Sequence, residues 1–230
     1  MVAVYNEPEI IERAKTPRGE IQLQKRGSDY EIIFNGIFIM ATYNGRSEKN
    51  MIELALKHLE KGKPKRLLIG GLGAGFTLQA ALEHNEVKSV DVVEVEKKII
   101  DWNRSYFDTF NNNALEDPRI NMIEADFKEY IINCRDKYDL IAVDIDNGPD
   151  WVVMESNSSI YDVPFLQEIK QRLISGGLLA IWSATYNKKL FESLGEVFNN
   201  VEIERIEDKD LRNNLVNYYI YLSENRKFQL

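Results

Sequence analysis

A chain of 230 residues, 44% hydrophobic and 29% charged, can bury a sizeable core as one main domain with a small appendage. A formal net charge of −8 opposes a broad basic surface, so duplex nucleic acid and an anionic membrane are poor partners and a cationic substrate is compatible. The single cysteine, Cys134, excludes an internal disulfide, and the two histidines, His58 and His84, have no second histidine or cysteine at ligand spacing, so no metal is expected. Residues 1–11 hold acids and a proline where a secretion signal would place basic and then apolar residues. No apolar window approaches the length of a membrane span, and the expected location is the cytoplasm.

In chain order, GEIQLQKR alternates apolar and polar residues, Gly27-Ser28-Asp29 turns, and YEIIF runs to a second turn at Asn35-Gly36 before IFIMATY. This predicts a small antiparallel β unit within residues 1–45. Ser47 stands as an N-cap before a helix that sets Met51, Leu54, Ala55 and Leu59 on one face and stops by Gly62. From there strands and helices alternate: RLLIG, LQAALEH, SVDVVEV, IIDWNRSYF, INMIEA, DFKEYIIN, DLIAVDI, FLQEIKQRLI and LLAIWSA. Strands apolar on both faces and joined by helices predict a buried parallel sheet over residues 46–230. After a helix around KLFESLGEVF, the segments VEIERIE and VNYYIYLSE lie close enough in sequence to close the sheet with an antiparallel hairpin.

The densest chemical signal is Gly70-Gly71-Leu72-Gly73-Ala74-Gly75, between the strand RLLI and a helix. Glycines there let the backbone turn tightly and approach a ligand at the carboxyl end of the first strand, where a nucleoside cofactor lies. Phe76 occupies the place of the third glycine of the dinucleotide fingerprint, which disfavours NAD. Glu94 ends the second strand, where an acid can accept hydrogen bonds from both ribose hydroxyls. Asp126 follows the third strand and can take a hydrogen bond from an adenine amino group with Phe127 packing on the base; it also suits a helix N-cap. The fourth strand runs into Val143-Asp144-Ile145-Asp146-Asn147-Gly148-Pro149-Asp150. Acids at that end border the ligand crevice, and mutual repulsion with partial burial can make one a proton acceptor. Asp144 is the first catalytic candidate and Asp146 the second; loop solvation or turn capping is the alternative role for Asp146 and Asp150.

Taken together, LLIGGLGAGFTL, VVEVE, EADF and YDLIAVDIDNGP resemble the cofactor loop, ribose strand, adenine segment and catalytic loop of the spermidine synthase family. The resemblance implies a Rossmann-like class I methyltransferase fold. It further implies a polyamine-type transferase that uses decarboxylated S-adenosylmethionine or S-adenosylmethionine as co-substrate, without a metal, and a small-molecule amine as acceptor. Gly70, Gly71, Gly73, Gly75, Glu94, Asp126 and Phe127 would hold the nucleoside, and Asp144 would match the first catalytic aspartate. The sequence departs from the family pattern in three places. Gly73 stands where an aspartate would hold the aminopropyl amine, Asn147 where the second aspartate of the catalytic loop would fall, and LRNNLVNYYIYLSE lacks the tyrosine, proline and glycine that help enclose a polyamine. A methyltransferase acting on a small molecule and a catalytically silent nucleoside-binding module remain the alternatives, and a homodimer is left open.

Overall fold

The computed structural model describes residues 7–209 and 214–226. Residues 1–6, which head the segment read for a targeting signal, and residues 211–213 of LRNNLVNYYIYLSE lie outside the described residues.

Four strands, β1 (Glu9–Thr16), β2 (Gly19–Arg26), β3 (Asp29–Phe34) and β4 (Ile37–Ala41), form an antiparallel sheet in sequence order. Asn35 (φ 50°) and Gly36 (φ 80°) make the β3–β4 turn, two left-handed residues whose twist suits a two-residue hairpin. Alternation along β2 and β3 buries Ile21, Leu23, Ile32 and Phe34 against the rest of the molecule. Strand β1 is an addition to the sequence reading: EIIERAKT mixes charges into its alternation, and it is held as an edge by pairing to β2 from Glu9↔Lys25 to Thr16↔Gly19.

Helix α1 (Arg46–His58) follows, and Gly45 precedes it. Ser47, expected as the cap, lies buried inside the first turn, and the helix has no side-chain cap. The alternating segment then gives β5 (Lys65–Gly70), α2 (Phe76–Leu82), β6 (Val87–Glu94), α3 (Lys97–Ser105), β7 (Ile120–Glu124), α4 (Phe127–Asn133), β8 (Tyr138–Val143), α5 (Val163–Arg172), β9 (Leu173–Ser183) and α6 (Lys188–Phe198), closing with the hairpin β10 (Glu202–Lys209) and β11 (Leu215–Glu224). These strands form one sheet in the order β10-β11-β9-β8-β5-β6-β7; β7, β6, β5, β8 and β9 are parallel, and β11 and β10 are antiparallel. This is the mostly parallel Rossmann-like sheet with an antiparallel ending that the sequence predicts.

Both faces of the sheet are covered. Leu67, Ile69, Val90, Val92, Leu140 and Ala142 point into a core shared with α1, α2 and the four-stranded sheet, whereas Leu68, Val93, Ile141 and Val143 point into a second core under α4, α5 and α6. The chain steps outward from β5 through β6 and β7, then returns to β8 on the other side of β5. That reversal opens a crevice at the carboxyl ends of β5, β6 and β8, the place where open α/β sheets bind ligands. Among the described residues no helix is long and apolar enough to cross a membrane.

Candidate active site

A cleft of about 1100 Å³, open mouth included, lies over those strand ends. Its floor is the loop between β5 and α2. Gly71 (φ 89°) passes so close to the end of β8 that a Cβ there would stand 2.0 Å from the Asp144 carbonyl oxygen. Gly73 (φ 52°) faces open space, with the Met40 side chain 3.9 Å from where a Cβ would be. Two buried asparagines hold the far side of the loop: Asn103 Nδ2 donates to Gly73 O (2.7 Å) and Asn111 Nδ2 to Ala74 O (3.0 Å), beside Gly75. The sequence reading passed over both, because asparagines in a helix and the turn after it carry no pattern of their own. The Phe127 ring packs over Gly70 and meets Phe165 edge-on at 6.3 Å.

Glu94, at the end of β6, is buried, and its carboxylate accepts from Leu72 N (2.9 Å) and Glu96 N (2.8 Å). Burial pushes its pKa upward. Glu96 is held by Arg18 Nε (2.6 Å) from the turn between β1 and β2, and the same guanidinium donates to Val95 O. The small sheet is thereby clamped onto the segment that follows Glu94. Asp126 caps α4, its Oδ1 accepting from Lys128 N (2.8 Å) and Glu129 N (3.0 Å), while its side chain still lines the cleft.

At the other end stands Asp144, whose Oδ2 accepts from Thr77 Oγ1 (2.7 Å). Burial pushes its pKa up to about 6. Asp146, the second catalytic candidate, also lines the cleft. Its buried carboxylate accepts from Val153 N (2.7 Å), Asn157 Nδ2 (3.0 Å) and Tyr161 OH (3.4 Å), so it organises the loop that walls the cleft. Asp150 is likewise a strap, bonded to Thr185 and Asn187. Asn147 Nδ2 donates to Phe38 O (3.1 Å) and ties this loop to the small sheet, a bond that an ionised aspartate could not make.

One acid in the cleft is absent from the sequence reading. Glu48, on the first turn of α1, lines the same end as Asp144. Its Oε2 accepts from the Ser47 hydroxyl (2.6 Å), which in turn accepts from Trp182 Nε1 (3.0 Å). Burial, reinforced by the charge of Asp144, pushes the Glu48 pKa up to about 8. In sequence it looks like any acid favouring a helix start. Counted over the described residues lining the cleft, there are six carboxylates, Glu48, Glu94, Glu96, Asp126, Asp144 and Asp146, and no lysine, arginine or histidine. The described residues contain no cluster of histidine, cysteine and acid side chains arranged to hold a metal.

Comparison with known proteins adds three findings. The family model "Spermine/spermidine synthase domain" matches residues 46–205. Among curated relatives, a polyamine aminopropyltransferase of Sulfurisphaera tokodaii is 24% identical over 144 residues, 63% of this chain and 46% of its own length. Polyamine aminopropyltransferase 2 of Pseudomonas aeruginosa is 25% identical over 158 residues, 64% of this chain and 43% of its own length. The chain thus spans less than half the length of these relatives. Among solved structures, spermidine synthase from Thermotoga maritima superposes with a TM-score of 0.78 at 17% identity, covering 94% of this chain and 72% of that one. A spermidine synthase in complex with the transition-state analogue AdoDATO gives 0.76 at 17% identity over the same shares. At that identity the superpositions speak for the fold.

Proposed function

The chain belongs to the spermine/spermidine synthase domain family, and from that premise we propose that it transfers an aminopropyl group from decarboxylated S-adenosylmethionine to a small amine. The observation that carries this reading is the acidity of the cleft: six carboxylates line it, of which Glu96 is paired with Arg18 from outside the lining, and no cationic side chain stands among its described lining residues. A sulfonium, an aminopropyl ammonium and an ammonium acceptor are all cations, and a low-dielectric cleft of this sign favours each of them. Ordinary S-adenosylmethionine adds a carboxylate for which the lining offers no cationic side chain.

In this reading the glycine loop admits the nucleoside, Glu94 accepts from its ribose, and Asp126 and Phe127 face its base. The bound nucleoside supplies an electrophilic carbon on a sulfonium, with a neutral thioether as leaving group. Asp144 orients the acceptor and takes a proton from its ammonium, freeing the nitrogen lone pair for in-line attack at that carbon; the C–S bond breaks as the C–N bond forms, methylthioadenosine leaves, and the product nitrogen stays protonated as a secondary ammonium. Asp146 fixes the loop that positions Asp144.

Parallel calorimetric titrations with decarboxylated S-adenosylmethionine, S-adenosylmethionine and methylthioadenosine test the reading, followed by turnover with linear diamines. Tighter binding of the decarboxylated form and amine-dependent release of methylthioadenosine are expected. Preference for the carboxylated form with methyl transfer would replace this reading by the methyltransferase one, which the bare Gly73 position would then explain. Binding without turnover of either would leave a nucleoside-binding module.

A further inference from the structure

The acids of the cleft differ in what already bonds them. Glu94, Glu96 and Asp146 each accept two or more hydrogen bonds from the protein, and Asp126 accepts two at a helix start. Glu48 and Asp144 are held more lightly: Glu48 accepts from the Ser47 hydroxyl and from its own backbone amide, Asp144 from the Thr77 hydroxyl, and both are only partly buried, with carboxylate surface left to the cleft. The two come from different elements, α1 and the end of β8, and act on each other electrostatically. Neither carboxylate has a cationic partner in the cleft lining. Two carboxylates that repel each other at one end of a cleft favour a shared proton or a cation with several N–H donors.

We propose that Glu48 is the second carboxylate of the acceptor site, forming with Asp144 the pair that grips the acceptor's ammonium group and selects amines over neutral nucleophiles of the same length. This rests on the aminopropyl-transfer reading and deepens it. The loop after β8 carries Asn147 where a second acid would be expected, and Asn147 is engaged with the Phe38 carbonyl; α1 supplies the missing charge from across the cleft. The Trp182–Ser47–Glu48 chain fixes the side chain, so the charge is placed before the amine arrives. Without amine the pair keeps a proton; an arriving ammonium replaces it, and the proton leaves to solvent. Asp144 from β8 and Asp208 from β10 are the charged groups that act on Glu48; α2 contributes the neutral Thr77 to the pair and β9 contributes Trp182.

The test is calorimetric titration of linear diamines, 1,4-diaminobutane among them, into the protein saturated with methylthioadenosine, in two buffers of different ionisation enthalpy near neutral pH. The parent protein should bind amine with release of up to one proton. Glu48→Gln keeps the shape and an acceptor for Ser47, and should weaken amine binding by about 10- to 100-fold, abolish the proton release and leave methylthioadenosine affinity unchanged. Glu48→Asp should recover part of the affinity. Amine affinity and proton release in folded Glu48→Gln equal to those of the parent would overturn the role of Glu48 while leaving the transfer reading intact. A parent protein that binds methylthioadenosine but no amine would overturn the acceptor reading itself, and the role of Glu48 with it.

Discussion

The Glu94 carboxylate accepts a hydrogen bond from the amide of Leu72 at 2.9 Å, so the acid that ends β6 holds the crest of the glycine loop that follows β5. With Glu96 N on its other oxygen, Glu94 is both a wall of the cleft and a fastening of its floor. Each carboxylate oxygen keeps lone-pair capacity for a ligand hydroxyl.

Glu94→Ala should therefore act twice. Loss of charge-assisted bonds to a ribose is expected to weaken nucleoside binding by about 2 to 4 kcal/mol. Two buried amides left without an acceptor should also lower folding stability by about 1 to 3 kcal/mol. Titration with methylthioadenosine alongside thermal unfolding measures both, and an unchanged affinity in the folded variant would remove Glu94 from the nucleoside site.

Asp144→Asn preserves shape and can still accept from Thr77, but it cannot take a proton. Nucleoside affinity should stay near that of the parent while the single-turnover rate of transfer falls by about 10² to 10⁴. A variant as fast as the parent would end the catalytic claim for Asp144.

Asp146→Ala should behave differently, because three donors converge on its carboxylate. Val153 N, Asn157 and Tyr161 would lose their acceptor in a buried setting, at about 2 to 3 kcal/mol, visible as a lower urea midpoint. A stability equal to that of the parent would show that the loop does not depend on this anchor.

The raised pKa values of Glu48 and Asp144 make stability depend on pH in a defined direction. Glu48 moves from its ordinary 4.5 to about 8 and Asp144 from 3.8 to about 6, so the folded protein holds protons that the unfolded chain has released. Their contribution is fully present below about pH 4 and is lost as pH rises through the folded values, by at most about 1.4 kcal/mol per pH unit for each proton. Without ligand, Glu48→Gln should flatten the upper part of this fall and be more stable than the parent at pH 8. Urea unfolding at a series of pH values would check it; parallel curves for parent and variant would mean that Glu48 titrates normally.

Two glycines of one loop should respond oppositely. Gly71→Ala brings a Cβ onto the Asp144 carbonyl at a left-handed φ and should cost about 3 kcal/mol or more. Gly73→Asp enters open space at φ 52°, a conformation that aspartate tolerates for about 1 kcal/mol, and should fold. Its new charge should shift the affinity ratio toward decarboxylated S-adenosylmethionine. A folded variant with an unaltered ratio would mean that position 73 does not face the cofactor's tail.

The strand-helix alternation from β5 to β11, the glycine loop after β5 and the acid at the end of β6 were legible in the sequence because each is a local signal: a period of two or 3.6, or a residue type required at one backbone position. Strand β1 was not, since its charged residues blur the alternation and its place depends on pairing with β2. Ser47 looked like a cap, yet its hydroxyl joins Trp182, far along the chain, to Glu48. Asp146 and Asp144 stand two residues apart on one strand end and look equivalent as letters; three donors on the one and a single hydroxyl on the other make them chemically different. Glu48 belongs to the cleft only because α1 packs across the end of β8. Periodicity is summed over neighbours in sequence, whereas the protonation and ligand preference of a carboxylate are summed over neighbours in space, and only the folded chain brings those together.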